Sequence, residues 1–210
     1  MEVSIVQFEH QWKITQNHLS TVPFTKAMRI ISVVLLVLLS FLLSYHLTIA
    51  TLSLAPEQQE VFSFLYSDHS LSGFTPSEIS HLYDVKKVMN GAAAVFFVVI
   101  LLTLSVVLHN FEKKAFLIAG LTVFSVVFFL LLLAFFYFDQ LFAAFHSIFF
   151  AQGTWIFPPE SKLIQLFPLS FFITLTKRIL IGTLLCSIVL IGVYKLKWKH
   201  FSVCLGFLSS

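Results

Sequence analysis

Charged residues are scarce in this 210-residue sequence. Asp, Glu, Lys and Arg together make up 11% of it, whereas a soluble domain of this size has about 25%. Hydrophobic residues make up 58% of the sequence, Phe alone occurs 26 times, and the mean hydropathy is +0.93. Because so little polar surface cannot cover a water-soluble globule, we expect lipid to be the solvent for much of the chain.

Cysteine and recognisable cofactor motifs are also nearly absent. The two cysteines, Cys186 and Cys204, match no metal-binding spacing and no disulfide framework. The sequence lacks a glycine-rich phosphate loop, a zinc-finger pattern and the basic–aromatic interleaving of a nucleic-acid binder. We therefore predict no cofactor, no metal and no nucleic-acid partner, and the sequence leaves the oligomeric state open.

Four long apolar runs are present instead, at about residues 30–54, 88–108, 115–138 and 169–194. A helix needs roughly 20 apolar residues to cross the hydrocarbon core of a bilayer. The sequence therefore predicts a single all-α integral membrane domain with four transmembrane helices.

The fourth run contains two adjacent cations, Lys177 and Arg178. Either its helix begins near Ile179 and the two cations form a collar, or it begins near Leu169 and carries them about eight residues inside. In both cases the cations either snorkel to the lipid interface or face a cavity within the protein.

Lys and Arg are distributed unevenly between the two sides of these helices. Eight fall on the side that holds both chain ends, and cytoplasmic loops are the ones that carry such an excess. We therefore predict that both termini are cytoplasmic and that residues 55–87 and 139–168 form two outer loops. The eight are Lys13, Lys26, Arg29, Lys113, Lys114, Lys195, Lys197 and Lys199.

The first outer loop contains a recognisable helix start. Thr75, Pro76 and Glu78 occupy the N-cap, first and third positions of a capping box. No proline interrupts the stretch from there to Leu108, so we expect one long helix that projects out of the membrane. Because only residues 109–114 separate it from the next span, we also expect these two helices to be antiparallel neighbours.

Two histidines are predicted to meet on the outer side. His81 lies about seven residues before the second apolar run, and His146 lies about eight residues after the third. At about 1.5 Å per residue, both imidazoles reach a similar height above the hydrocarbon core. Imidazole titrates near neutral pH, so such a pair suits proton transfer to and from a lipid ester.

A metal site is the rival interpretation of these residues. Glu78 and His81 form a Glu-x-x-His pair, which is half of a carboxylate-bridged di-iron arrangement. The other half is missing, because Ala143 stands three residues before His146.

The second outer loop, residues 139–168, is rich in apolar residues. This composition predicts short helices at the outer leaflet with Trp155 as an interfacial anchor.

Two separated segments together resemble the lipoprotein intramolecular transacylases. Residues 78–86, with the pattern Glu-x-x-His-x-x-Asp-Val-Lys, look like the first motif of that family, and the second segment is similar to its second motif block. Ser161 and Leu169 depart from the pattern, since the family usually has aspartate and glutamate there. The second segment comprises residues 145–150, Trp155, Pro158, Leu163, Ile164, Phe167, Pro168, Phe171 and Phe172.

This resemblance implies a reaction and a location. Enzymes of the family are multi-pass proteins of the bacterial cytoplasmic membrane, with the active site facing outward. They move the sn-2 acyl chain of a diacylglyceryl lipoprotein to the α-amine of its N-terminal cysteine, which leaves a lyso-form lipoprotein. The implied partners are a diacylated lipoprotein substrate and membrane lipids.

The resemblance also suggests roles for single residues. His81 and His146 are the expected acid–base pair, and amine and ester belong to one substrate, so no protein nucleophile is required.

Five further residues receive supporting roles. Glu78 or Asp84 is expected to orient an imidazole, and Tyr83 or a backbone amide to stabilise the oxyanion. Lys86 is placed near headgroup phosphates, and Trp155 at the interface.

Two other functions fit the same sequence. One is an outer-leaflet ester hydrolase, which would release free fatty acid instead of an N-acylated cysteine. The other is a small, non-enzymatic membrane subunit, in which both histidines would tolerate replacement by alanine.

Overall fold

The computed structural model describes residues 2–67, 70–109 and 111–196, and this part of the chain is helical without any β-strand. The prediction of an all-α membrane fold is confirmed. Six helices follow one another: α1 Glu2–Ala50, α2 Pro56–Tyr66, α3 Pro76–His109, α4 Lys113–Phe149, α5 Lys162–Leu166 and α6 Leu169–Lys195.

Four of these helices are long and apolar enough to cross a membrane: Lys26–Ala50 of α1, and the whole of α3, α4 and α6. The first of them ends at Ala50, four residues before the expected boundary at 54. The hydroxyl of Thr51 donates a hydrogen bond to the Leu47 carbonyl (2.8 Å) and closes the last turn. Residues 52–55 then run to Pro56, which begins α2.

Helix α3 is continuous from Pro76 to His109, as the capping box predicts. The backbone N–H of Thr75 donates to the Glu78 carboxylate (2.7 Å), and the N–H of Glu78 donates to the Thr75 hydroxyl (3.3 Å). The helix begins twelve residues before the apolar run at Val88, so its first turns extend about 18 Å beyond that run.

Helix α4 bends where its apolar run ends. Tyr137 has φ −137° and ψ 36°, which are not helical values, and the chain continues as helix to Phe149. Residues 139–149, which we expected to belong to a loop, are therefore the outer segment of this helix. A rigid helical segment thus carries His146.

Helices α3 and α4 are not each other's main packing partners. Helix α4 packs mainly against α6, whereas α1 packs against α3, α4 and α6, and α2 packs against α3. Small side chains allow helices to approach closely in a membrane, and α1 buries a row of them, so it takes the central position. That row consists of Ser32, Ser40, Ser44 and Thr48.

One end of the bundle is held together by polar contacts. Arg29 of α1 forms an ion pair with Glu112, which precedes α4. The Lys113 ammonium donates a hydrogen bond to the carbonyl of Leu196 at the end of α6 (2.9 Å). Three segments that the charge count assigns to one side of the membrane therefore meet at one end.

Helices α1 and α6 approach each other closely at Gly182. The hydroxyl of Ser44 donates a hydrogen bond to the Ile179 carbonyl (2.6 Å). A Cβ atom on Gly182 would collide with that hydroxyl, whereas a Cβ atom on Gly192 of the same helix would meet nothing within 4 Å.

We expect Gly182→Ala to lower the free energy of unfolding by about 1–3 kcal/mol, because the added methyl group forces α1 and α6 apart. Gly192→Ala is the matched control, and it should be neutral or stabilising by up to about 1 kcal/mol. Thermal unfolding of the detergent-solubilised protein measures both. Equal destabilisation by the two variants would contradict the close approach.

Candidate active site: a buried histidine pair

The other end of the bundle is built on an apolar cluster beneath the connecting segments. It joins α2, the first turns of α3, and α5, and so fixes the short helices against the long one. Its buried members are Val61, Phe64, Leu65, Leu82, Leu163 and Phe167.

Glu78 connects two helix starts within this end. Its side chain is buried, with 1% of its surface exposed. One carboxylate oxygen accepts hydrogen bonds from the backbone N–H (2.7 Å) and the hydroxyl (2.8 Å) of Thr75. The other oxygen accepts one from the backbone N–H of Leu163 in α5 (2.9 Å). The carboxylate therefore stabilises the first turns of both α3 and α5, where unpaired N–H groups attract negative charge.

Ser161 caps the same short helix α5. Its hydroxyl accepts a hydrogen bond from the backbone N–H of Ile164 (3.2 Å). Serine and aspartate are about equally good at this N-cap position, so the residue that departs from the family pattern still fulfils the capping role. Leu169, the other departure, is the first residue of α6 and is 40% exposed.

His81 and His146 lie side by side above these elements. The structure brings their imidazole centroids to 6.3 Å, with an angle of 24° between the ring planes. Both rings are buried, with 7% and 8% of the residue surface exposed. His81 comes from the second turn of α3 and His146 from the segment of α4 beyond the bend.

A hydrogen bond fixes the tautomer of His146. Its Nδ1 atom lies 2.8 Å from the backbone carbonyl oxygen of Phe142, one turn earlier in α4. Because a carbonyl oxygen can only accept, Nδ1 carries the proton, and the neutral ring has its lone pair on Nε2. The buried Nδ1 atom of His81 has no hydrogen-bond partner among the described residues.

Aromatic rings enclose the pair. The ring centroid of Phe150 lies 4.8 Å from His81 and 5.3 Å from His146, and that of Phe157 lies 5.6 Å from His81. The Trp155 ring lies 4.8 Å from His146. Such apolar surroundings favour the neutral form of imidazole. Phe157 belongs to the apolar second outer loop, but no pattern in the sequence indicates that it contacts His81.

Two of the supporting residues proposed from sequence, Tyr83 and Lys86, have their contacts on the side of α2. Tyr83 is 51% exposed, and its ring meets the edge of Phe64 at 5.0 Å. The Lys86 ammonium lies 5.2 Å from the centre of the same Phe64 ring. Asp84 pairs with Lys87 at 3.0 Å. Their roles in orientation and oxyanion stabilisation stay predictions, whereas Trp155 does contact the pair.

Two further histidines, His46 and His69, also fall on or near the predicted outer side. His69 lies outside the described residues. His46 belongs to α1 and stacks on Phe96 of α3, with ring centroids 4.5 Å apart and its buried Nε2 atom without a partner among the described residues. Phe96 is fifteen residues from His81 along α3, or about 22 Å, so His46 is remote from the histidine pair.

Four apolar helices with a buried histidine pair at one end characterise a polytopic membrane protein. Residues 52–172, more than half of the chain, match the family described as lipoprotein intramolecular transacylase Lit. The chain therefore belongs to this family, and it is a membrane acyltransferase of lipoprotein maturation. No curated protein matches the chain.

Solved structures of the lipoprotein intramolecular transacylase Lit from Bacillus cereus share the fold. One has a TM-score of 0.72 at 18% identity and covers 82% of this chain and 94% of its own. Another, of a histidine-to-arginine variant, has a TM-score of 0.70 at 17% identity and covers 93% of this chain and 99% of its own. The likeness therefore extends over nearly the whole length of both proteins.

We expect Glu78→Gln to lower the free energy of unfolding by about 1–3 kcal/mol, because one amide oxygen replaces two carboxylate oxygens and leaves a buried N–H unpaired. Thermal unfolding measures the loss, and limited proteolysis of residues 151–161 locates it. Glu60→Gln, an exposed change in α2, is the control and should have no effect on either. Unchanged stability of Glu78→Gln would show that the carboxylate does not hold the two helix starts together.

The cap of α5 is tested by a pair of substitutions at one position. Ser161→Ala should cost about 1 kcal/mol through the lost capping hydrogen bond, and Ser161→Asp should retain it. Proteolysis rates in the segment before α5 and acyl transfer activity check both variants. If Ser161→Asp were as damaging as Ser161→Ala, capping would not explain the serine at this position.

Proposed function

We propose that His81 and His146 together move the protons of an acyl transfer from a glyceryl ester to an amine within one diacylated lipoprotein. The proposal rests on one observation: two buried imidazole rings from different helices have their centroids 6.3 Å apart. Acid–base catalysis by positioned imidazoles contributes roughly 10²–10⁴-fold to such reactions.

His146 is the better candidate for the base. The hydrogen bond from its Nδ1–H to the Phe142 carbonyl leaves the Nε2 lone pair available. The same bond strengthens when the ring becomes cationic, because a charged donor makes a stronger hydrogen bond. His146 therefore accepts the proton that the cysteine α-amine loses as it attacks the ester carbonyl.

His81 then completes the proton balance. When the tetrahedral intermediate collapses, the C–O bond to the sn-2 glyceryl oxygen breaks, and that oxygen must gain a proton. His81 relays the proton from His146, taking it up on one ring nitrogen and releasing one from the other. Both rings end neutral, as their aromatic surroundings favour, and no co-reactant is consumed.

The pair lies outside the hydrocarbon core. His81 is seven residues above the apolar run of α3, which corresponds to about 10 Å. The headgroup layer beyond each face of the core is about 5–8 Å thick. The ester bonds of the lipoprotein therefore have to rise out of the core to meet the pair, and the rings of Phe150 and Trp155 supply an apolar wall there.

The charge distribution supports an orientation in the bacterial cytoplasmic membrane. The end of the bundle joined by Arg29, Glu112 and Lys113 belongs to the lysine- and arginine-rich side, which faces the cytoplasm in multi-pass proteins. The histidine pair is at the opposite end and therefore faces outward, toward the N-termini of exported lipoproteins.

Replacing either histidine by alanine should reduce formation of N-acylated lyso-form lipoprotein by at least about 100-fold, because the amine or the glyceryl oxygen loses its proton-transfer partner. The measurement is tandem mass spectrometry of the N-terminal lipopeptide of an abundant lipoprotein. The protein is expressed in a bacterium that otherwise has no N-acylated lipoproteins, and membrane insertion of each variant is verified.

His109→Ala is a matched control for His146→Ala. His109 makes the same type of bond, from Nδ1 to a carbonyl one turn earlier, that of Ser105 (2.9 Å), but it lies at the other end of the bundle. It should retain full activity. Full activity of the His81→Ala/His146→Ala double variant would refute the assignment, and free fatty acid in place of N-acylated cysteine would identify the protein as a hydrolase.

A further inference from the structure

Lys177 and Arg178 lie on the lipid-facing side of α6. Both are exposed, as are Ile181 and Leu185, which follow on the same side of the helix with 54% and 58% exposure. The opposite side, which packs into the bundle, buries Thr183 completely. Helix α6 begins at Leu169, so the two cations are within the helix and point toward lipid, not into a cavity.

Helical rise places the two cations at the boundary of the hydrocarbon core. Lys177 is eighteen residues before Lys195, the last residue of α6. This separation corresponds to about 27 Å, close to the roughly 30 Å thickness of the core. If Lys195 marks one face of the core, Lys177 and Arg178 lie near the other, and their long side chains extend toward it.

A contact between helices supports this depth independently. Ser44 of α1 donates a hydrogen bond to the Ile179 carbonyl, so these two residues are level. Lys177 is about 3 Å above Ile179, and the end of α1 at Ala50 is about 9 Å above Ser44. The cations therefore lie just below the point at which α1 stops, on the side of the membrane that holds the histidine pair.

Neither cation has an anionic partner among the residues whose side chains the structure describes. No hydrogen bond or ion pair to Lys177 or Arg178 occurs among residues 26–67, 70–109 and 111–196, whose side chains are described, although Arg29, Lys86 and Lys87 all have polar partners there. Two adjacent, unpaired cations at the edge of the core face the layer that contains lipid phosphates.

We infer that Lys177 and Arg178 bind the phosphodiester headgroup of an anionic phospholipid in the leaflet that contains the histidine pair. The guanidinium of Arg178 supplies two parallel donors that match phosphate oxygens, and the Lys177 ammonium adds a second charge. The bound lipid is distinct from the lipoprotein substrate, and the inference does not depend on the proposed proton transfers.

Native mass spectrometry of the purified full-length protein, titrated with phosphatidylglycerol or phosphatidylcholine, tests this site. In Lys177→Gln/Arg178→Gln, the dissociation constant of the first phosphatidylglycerol should rise about tenfold, since two charge-assisted hydrogen bonds are lost. Binding of phosphatidylcholine should change little. Each single substitution should lose part of the same affinity, so the test does not require the double variant to fold.

Two controls decide whether the effect is local. Lys114→Gln/Lys195→Gln removes two exposed charges at the opposite end of the bundle and should leave the first phosphatidylglycerol affinity unchanged. Lys177→Arg/Arg178→Lys keeps both charges and should retain most of it. An equal loss in the Lys114→Gln/Lys195→Gln variant, or an equal loss for both lipids, would overturn the proposed site.

Discussion

The buried carboxylate of Glu78 determines how the histidine end of this protein is arranged. It accepts three hydrogen bonds, two from Thr75 and one from the backbone of Leu163. These bonds begin α3 in the direction that carries His81 out of the membrane, and they fix α5 beside it. The segment between α4 and α5, which contains Trp155, is thereby held over the pair. A carboxylate that is almost fully buried is stable only while all these donors are in place, so the start of α3 and the start of α5 are coupled.

A second constraint comes from the lipid environment. Membrane helices gain little from burying apolar surface against each other and associate through close packing and hydrogen bonds instead. The contact of Ser44 with Ile179 at Gly182 and the contacts around Arg29 are of this kind. The histidine end uses a different principle, since short helices there bury Phe64 and Phe167 in a small core above the membrane. The candidate active site is thus attached to helices whose packing depends on the lipid environment, but it has a small hydrophobic core of its own.

The elements that local sequence determines could be predicted, and those that depend on packing could not. The capping box at Thr75 and Glu78 is a local signal, and it predicted the uninterrupted α3. Lengths of apolar runs predicted four membrane-crossing helices. The central position of α1 and the bend at Tyr137 have no local signal. The short connection between α3 and α4 does not reveal that each of them packs mainly against other helices.

The candidate site could likewise be predicted from the sequence only in part. The approach of His81 and His146 follows from their heights on two helices that a short connection joins. The second bonding partner of Glu78 and the contact of Phe157 with His81 depend instead on where the second connecting segment folds back.

Transfer of an acyl chain within a single lipoprotein is the central claim, and a crossover experiment tests it most directly. Purified protein in nanodiscs is given two synthetic diacylglyceryl lipopeptides of different sequence, one of which carries a deuterated sn-2 chain. We predict that mass spectrometry finds the deuterated chain only on the amine of the peptide that supplied it, with no free fatty acid. Exchange of chains between the two peptides, or release of free fatty acid, would contradict the account.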